Sequence, residues 1–461
     1  MQVKVDSKLR IKNPTHEVKT WCQEHLILDN PDYFKLERIG KWTGNTPKFI
    51  WLYEEIDDEL WLPFGCIRDI WSIAGNSIFW KVNIHPIRRV DYRSGIILYP
   101  YQKNAVELAI KVKNGVLVMP CGSGKTQCGL EIIAKIGGKA LWLTHMQDLL
   151  TQSKKRAESV LGYVGAGVIT AGKVNTGHGI TFATVQTMSK IDLVEHKDDW
   201  DVIIVDECQH AAGSPTRLTQ FYKVISNLVA RYKIGLTATP KRADGLERAM
   251  FALLGGKICE VTRDEVAHTT CPVMVRCIDT GWVPDYDCVL MGDGTIDYMK
   301  VIDSMIHDEA RYKLVLYEVI NLDGPAIVLA NRVEYLEQMR DSMFYFGKKV
   351  SCLSGMGQSK KAKAEREAAL KSLNDGELDC VLATYQLAKE GLDVPNLKYI
   401  VFATPEKEET TVIQSVGRVS RKADGKDHGT VLDFIDGFEM YKGWAKKRAA
   451  YYKKIGAEVV R

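Results

Sequence analysis

The sequence lacks the features that would place it in a membrane or outside the cell. No stretch approaches the roughly 18 consecutive apolar residues of a membrane span, and no apolar signal segment follows the charged first residues. The 11 cysteines form no CxxC pair, and no HExxH motif occurs. We therefore expect a cytoplasmic protein with no membrane partner, no disulfide framework and no structural metal.

An excess of charge of one sign is also missing. The 62 Lys and Arg residues nearly balance 58 Asp and Glu residues, which leaves a formal net charge of +4. Such a charge neither demands nor excludes a polyanionic partner. Hydrophobic residues at 46% and a length of 461 residues suit a globular chain of about three domains, and they exclude disorder as the main state.

Residues 1–94 differ from the rest because they contain six of the ten tryptophans. Apolar spacing predicts a helix from Thr15 and strands at 48–53, 59–62 and 77–84. We therefore predict a small α+β domain, with most of these tryptophans in its core.

From residue 98 onward, short β-branched runs alternate with amphipathic stretches. This rhythm is typical of doubly wound parallel sheets whose strands are buried on both faces. The pattern weakens near 268, so we expect α/β domains at 95–268 and 269–437 and a basic helical tail at 438–461. Residues 281–297 predict a loop or hairpin. The expected strands lie at 116–119, 140–144, 179–184, 202–206, 233–237, 326–329, 349–353, 379–383, 399–402 and 429–434.

A glycine-rich loop follows the first of these strands. Residues 120–126 read PCGSGKT and precede an amphipathic helix at about 127–135. Glycines let backbone N–H groups approach phosphate oxygens, and a helix N-terminus adds positive potential. The lysine would bridge the β- and γ-phosphates, and the threonine hydroxyl would ligate Mg²⁺. The residues expected to bind the triphosphate are Gly122, Ser123, Gly124, Lys125 and Thr126.

An acidic pair ends the apolar strand at 202–205. Asp206 and Glu207 stand at its carboxyl tip, where two carboxylates cost desolvation and repel each other. A bound cation would offset both costs. We predict that Asp206 holds Mg²⁺ and that Glu207 orients and deprotonates the attacking water.

Several segments resemble, in order, the motifs of superfamily 2 helicases and translocases. Residues 206–210 (DECQH) resemble the DExH box, 235–240 (GLTATP) the third motif, 389–395 (KEGLDVP) the fifth and 414–421 (QSVGRVSR) the sixth. The resemblance implies an α/β fold in which two RecA-like doubly wound domains follow the small α+β domain. It also implies ATP and Mg²⁺ as cofactors.

Further residues take their roles from this resemblance. Gln102, in the entry sequence YPYQ, would contact the adenine edge. Thr237 and Thr239 would couple hydrolysis to movement, and Gly391 and Asp393 would lie at the nucleotide.

The sixth motif can supply cations that the phosphate loop does not. Arg418 and Arg421 would reach the γ-phosphate as arginine fingers when the two domains close. Gln414 would contact the γ-phosphate or the attacking water.

The resemblance also implies a nucleic-acid strand that crosses both domains. Polar side chains that follow strands suit contacts to backbone phosphates, and hence binding that is independent of sequence. The residues expected to make these contacts are His145, Gln152, Thr184, Gln186, Asn331, Arg332 and Thr384.

Residues 241–248 (KRADGLER) extend the third motif and resemble a signature of the group that contains UvsW-type phage helicases and XPB-like proteins. We therefore expect a monomeric ATP-driven DNA helicase or translocase, in the host cytoplasm if it is phage-encoded. It would remodel single-stranded, forked or branched DNA in replication, recombination or repair, and residues 1–94 would favour forks. Two alternatives remain open: an ATPase subunit of a restriction-like assembly that does not unwind DNA, and an RNA helicase.

Overall fold

The computed structural model describes residues 1–461 except 121, 163, 171, 213–214, 241–245, 293, 354–359, 390–393, 424 and 461. The chain forms two compact units, Met1–Glu265 and Val266–Arg461. The division expected from the sequence, at 94, 268 and 437, stays a prediction. Among the described helices, none combines the length and the apolar character needed to span a bilayer.

The first unit opens with a mixed sheet and a few short helices. Its strands are β1 Gln2–Val5, β2 Lys8–Lys12, β3 Ile27–Asp29, β4 Phe49–Trp51, β5 Glu54–Ile56, β6 Glu59–Pro63 and β7 Phe79–Val82. Its helices are α1 His16–His25, α2 Pro31–Arg38 and α3 Ile67–Ala74, with 3-10 turns at Phe64–Cys66 and Gly75–Ser77. The main sheet has the order β5-β6-β2-β1-β7, and β3 pairs with β4. The helix predicted from Thr15 is confirmed, because the Thr15 hydroxyl caps α1 by accepting from the backbone N–H of Val18.

A parallel sheet follows in the same unit. Its strands are β8 Asn114–Val118, β9 Ala140–Thr144, β10 Gly167–Ile169, β11 Ile180–Thr184, β12 Val202–Asp206, β13 Tyr232–Thr237 and β14 Lys257–Glu260. The helices around it are α4 Pro100–Val112, α5 Lys125–Ile136, α6 Gln147–Val160, α7 Val185–Met188, α8 Pro215–Asn227, α9 Glu247–Leu254 and α10 Arg263–Val266, with 3-10 turns at Cys208–Ala212 and Ala267–Thr269.

The second unit contains another parallel sheet. Its strands are β15 Val273–Asp279, β16 Ala326–Ala330, β17 Val350–Cys352, β18 Cys380–Thr384, β19 Tyr399–Phe402, β20 Gly429–Ile435 and β21 Glu458–Val460. Its helices are α11 Tyr286–Val289, α12 Tyr298–Ile306, α13 Glu309–Ile320, α14 Val333–Tyr345, α15 Lys360–Asn374, α16 Tyr385–Lys389, α17 Glu409–Val419 and α18 Glu439–Lys454.

The two parallel sheets have the same topology. When the strands of each sheet are numbered along the chain, both sheets have the order 3-4-2-5-6-1-7. Every residue of β8, β9, β11 and β12 is buried, as expected for strands covered by helices on both faces. The predicted doubly wound fold is therefore confirmed.

Some expectations about the chain are wrong. The tail after residue 437 is not only helical, because Gly456 ends α18 in a left-handed conformation (φ 65°) and β21 then joins the sheet beside β15. Residues 281–297 contain the single helical turn α11 as well as loop. Most of the N-terminal tryptophans are not core residues, since Trp42, Trp51 and Trp71 are 87%, 58% and 62% exposed.

The N-terminal sheet packs against the amino ends of the first parallel sheet. The Arg68 guanidinium donates to the carbonyl of Asn114, where β8 begins, and the Lys233 ammonium near the start of β13 donates to the carbonyl of Ser7. Apolar residues of the two sheets belong to one buried cluster. The phosphate-binding loop predicted after β8 lies at the opposite, carboxyl ends of these strands.

Candidate active site

The loop between β8 and α5 has the backbone shape that the glycines predicted. Gly122 and Gly124 have φ angles of 80° and 79°, which glycine adopts without steric cost. A Cβ at Gly124 would also lie 2.4 Å from the side-chain nitrogen of Gln102. Helix α5 begins at Lys125, so Lys125 and Thr126 form its first turn.

Two residues of α4 support this loop from behind. The Tyr101 hydroxyl and the Gln102 side-chain amide both donate to the Ser123 carbonyl, at 3.0 and 2.8 Å. The Gln102 carbonyl oxygen accepts from the backbone N–H of Tyr99 at 2.9 Å, which caps α4. The observed bonds therefore make Gln102 a cap and a support for the loop, and its contact with adenine stays a prediction.

The acidic pair lies beside the loop lysine. The Lys125 ammonium is 3.8 Å from the Glu207 carboxylate, and both side chains are mostly buried. Desolvation, together with repulsion from Glu207, raises the pKa of Asp206 to about 7. Glu207 has a φ of 49°, a conformation that costs a non-glycine residue about 1–3 kcal/mol and that is concentrated at functional sites.

These features fit a divalent cation. Asp206 presents a buried carboxylate whose charge is incompletely compensated, and the Thr126 hydroxyl would supply a second hard oxygen of the kind that Mg²⁺ prefers. A bound Mg²⁺ would neutralise phosphate charge, while Glu207 would be left to accept a proton from water.

A chain of side-chain hydrogen bonds leads away from Glu207. The Gln209 amide donates to Glu207 at 2.7 Å, and the Thr237 hydroxyl donates to the Gln209 carbonyl oxygen at 2.6 Å. The Thr239 backbone N–H then donates to the Thr237 hydroxyl at 3.1 Å. The structure therefore brings together the acidic pair and both predicted coupling threonines through Gln209, which the sequence interpretation had not placed in the site.

The predicted nucleic-acid residues of the first unit lie at neighbouring strand ends. The imidazoles of His145, after β9, and His210 stack with centroids 3.8 Å apart. The Gln186 amide donates to the His145 carbonyl at 3.0 Å. The Thr184 hydroxyl accepts from Thr187 N–H as the cap of α7. Gln152 is exposed on α6, one turn beyond these strand ends.

The corresponding residues of the second unit also lie at carboxyl strand ends. Asn331 follows β16 and donates its side-chain amide to the carbonyl of Pro405 at 3.0 Å. The Arg332 guanidinium bonds to Asp303 at 3.3 Å. Thr384 ends β18 and accepts from the backbone N–H of Leu387. No bound nucleic acid is needed to explain these bonds, so the contacts with phosphate stay predictions.

The sixth motif forms the end of α17. Gln414 and Arg418 are one helical turn apart, and Arg418 is buried. The segment that carries Arg421 is fixed by the start of the second unit. The Cys271 backbone N–H donates to the Ser420 carbonyl at 2.8 Å, and the Lys426 ammonium donates to the Arg421 carbonyl at 3.0 Å.

Some predicted positions lie outside the described residues. They are Gly391 and Asp393 of the fifth motif, and residues 241–245 of the extension that follows the third motif. Their roles stay predictions.

Two family models match the chain. One, described as "Type III restriction enzyme, res subunit", matches residues 95–242, and the other, "Helicase conserved C-terminal domain", matches residues 310–423. The S. cerevisiae Dbp5 structure bound to RNA and ADP BeF3 has a TM-score of 0.55 and 17% identity over 80% of this chain and 90% of that chain. This likeness shows the RecA-like fold.

Three curated relatives extend over most of the chain. A protein of Acanthamoeba polyphaga mimivirus, named as a candidate ATP-dependent RNA helicase, is 26% identical over 80% of this chain and 70% of its own length. The DNA 3'-5' translocase XPB2 of Sulfurisphaera tokodaii is 26% identical over 71% of this chain and 80% of its own length. The ATP-dependent DNA helicase uvsW of Enterobacteria phage T4 is 22% identical over 94% of this chain and 91% of its own length.

The fold and the site define a nucleotide-hydrolysing motor with two RecA-like domains, in which a phosphate loop faces an acidic pair. With both family models and these relatives, the chain belongs to the superfamily 2 helicases and resembles UvsW and XPB. It is therefore an ATP-hydrolysing enzyme of that superfamily.

Proposed function

We propose that the protein is a DNA helicase or translocase that uses ATP and Mg²⁺ to remodel single-stranded, forked or branched DNA. The observation that carries this proposal is the unbroken series of contacts from Lys125 through Glu207 and Gln209 to Thr237. A change at the phosphate end of this series alters the bonding of the third motif, as a motor that couples hydrolysis to movement requires.

The proposed roles follow from these positions. Lys125 binds the β- and γ-phosphates, and Thr126 and Asp206 hold Mg²⁺. Glu207 accepts the proton of the attacking water, which it can do because Gln209 fixes one of its oxygens at 2.7 Å. Thr237 carries the state of this pair to the third motif.

The remaining ATP-site roles belong to the second unit. Arg418 and Arg421 act as arginine fingers, and Gln414 contacts the γ-phosphate or the water. The bonds from Cys271 and Lys426 support this, because they fix the backbone on either side of Arg421.

The proposed nucleic-acid path uses the polar residues at the carboxyl strand ends. The stack of His145 on His210 places a predicted nucleic-acid residue in contact with the DECQH segment. A strand bound there would therefore act on the residues around Glu207. Contacts of this kind would be largely independent of base sequence.

An RNA helicase is the second candidate, because the mimivirus relative carries that name. A translocating ATPase of a restriction-like assembly is the third, because the model that matches residues 95–242 is named for a restriction subunit. The same active site would serve all three functions.

ATPase rates separate these candidates when they are measured without nucleic acid and with single-stranded DNA, duplex DNA, forked DNA and RNA. We expect strong stimulation by DNA, fading as salt rises, because phosphate contacts dominate. Strand displacement on forks should accompany it. Stimulation by RNA alone would support the second candidate, and DNA stimulation without strand separation would support the third.

A further inference from the structure

The N-terminal sheet has one buried face and one open face. Along β1 and β2, Val3, Val5, Leu9 and Ile11 point into the core. The alternate residues point the other way and are polar or aromatic. The open face, as defined here, consists of Gln2, Lys4, Lys8, Arg10, Lys12, Glu54, Glu59, Trp61, Phe79 and Lys81.

The strand register places three cations side by side on this face. Lys4 pairs directly with Arg10 on β2 and with Lys81 on β7. Like charges on directly opposed residues destabilise a sheet. Asp6 offsets part of this cost, because its carboxylate is 3.4 Å from Arg10 and 3.9 Å from Lys4. Within the described part of the chain, Lys81 has no ion pair.

Aromatic rings flank this row of cations. Trp61 pairs with Arg10 across β6 and β2, and the Arg10 guanidinium lies 4.3 Å from the centre of a Trp61 ring. Phe79 lies on the edge strand β7, opposite Gln2, and is 69% exposed. A large apolar ring in solvent beside unbalanced cations calls for a partner with both anionic and flat apolar groups.

We propose that the open face binds single-stranded DNA, with phosphates on Lys4, Arg10 and Lys81 and a base stacked on Phe79. Single strands offer both groups at once, whereas the bases of a duplex are stacked on each other. The inference rests on the proposed function, because it takes the nucleic acid of this motor to be DNA. It would give the motor a second contact with the strand, at the far end of the first parallel sheet from the phosphate loop.

Lys81 has an alternative role, since a lysine on an edge strand also prevents unwanted pairing with another chain. That role predicts self-association on substitution and no change in DNA affinity. The two roles therefore predict different measurements.

The test uses the full chain and a fluorescein-labelled oligothymidylate, with affinity measured over a series of salt concentrations. We expect the double variant Lys4→Gln, Lys81→Gln to bind roughly 10-fold more weakly and to lower the salt slope by about 2. Phe79→Ala should lose about 5-fold or more, with the slope unchanged. Lys19→Gln, an exposed lysine on α1, is the matched control and should bind like the wild type.

Thermal unfolding shows whether the variants fold. Lys81→Glu places an acid opposite Lys4, so its melting temperature should equal or exceed that of the wild type while its DNA affinity falls. Affinities equal to that of Lys19→Gln would overturn the inference, and so would a greater loss for oligouridylate than for oligothymidylate. A wild type whose ATPase ignores every nucleic acid would instead overturn the proposed function.

Discussion

The two parallel sheets have the same strand order, but their carboxyl ends hold opposite arrangements of charge. In the second unit, the Arg311 guanidinium bonds to Asp436 at 2.7 Å and to the carbonyl of Ala403 at 2.8 Å, and both charged side chains are fully buried. In the first unit, Asp206 and Glu207 share a single nearby cation, Lys125.

This difference shows how one scaffold serves two purposes. The second sheet completes its charges internally, so its strand ends are structural. The first sheet keeps a carboxylate in excess, a strained Glu207 and a glycine loop, so its strand ends are complete only with a ligand. The fold alone therefore does not locate the active site, whereas the uncompensated charge does.

The largest expected effect comes from removing the charges at the first sheet. Lys125→Ala should abolish ATP turnover, because no other residue of the loop supplies a cation to the phosphates. Glu207→Gln should keep ATP binding but lower kcat by about 10²–10⁴-fold, because the amide cannot accept the proton. Steady-state ATPase and nucleotide titration check both, with Lys103→Ala on the exposed side of α4 as the control. Wild-type turnover in Glu207→Gln would disprove its role as the base.

The next effect tests whether the second unit contributes to hydrolysis. Arg421→Ala and Arg418→Ala should bind ATP and lower kcat by about 10³-fold, as the loss of an arginine finger does in other NTPases. Lys422→Ala, an exposed cation beside Arg421, should keep the wild-type rate. If Arg421→Ala and Lys422→Ala hydrolyse ATP equally fast, the finger assignment is wrong.

Stability measurements sharpen the comparison directly. Asp436→Asn leaves the buried Arg311 without its counter-charge and should lower the free energy of unfolding by about 3–5 kcal/mol. Asp206→Asn removes a carboxylate that Glu207 repels, while the amide oxygen can still accept from the Glu207 N–H, so stability in metal-free buffer should be equal or higher. Chemical unfolding of both variants measures this, and equal losses would mean that the two edges do not differ.

Much of the site could be predicted from the sequence because its residues are adjacent in the chain. Glycine spacing predicted the loop, and the acidic pair after an apolar strand predicted Asp206 and Glu207. Gln209 was missed because its partner Thr237 lies on a neighbouring strand, and its role depends on the pairing of β12 with β13. Strand β21 was missed because it is short and exposed and follows a helix directly, so its residues carry no strand pattern.

The smallest predicted effect concerns Lys233, a buried cation that makes no ion pair among the described residues. Its ammonium donates to the carbonyl of Ile225 at 2.9 Å and lies 4.8 Å from the centre of the Phe64 ring. Desolvation lowers its pKa from 10.5 to about 7, against the opposing field of Asp6. Below pH 7 the folded and unfolded states both carry the proton, so Lys233 adds no pH dependence there. Above pH 7 the folded state loses the proton first, so the free energy of unfolding should rise with pH, by up to about 1.4 kcal/mol per unit. Lys233→Met should lack this rise, whereas the exposed control Lys19→Met should keep it. Urea unfolding between pH 7 and 9 checks this, and parallel curves for the wild type and Lys233→Met would show that Lys233 stays charged in the fold.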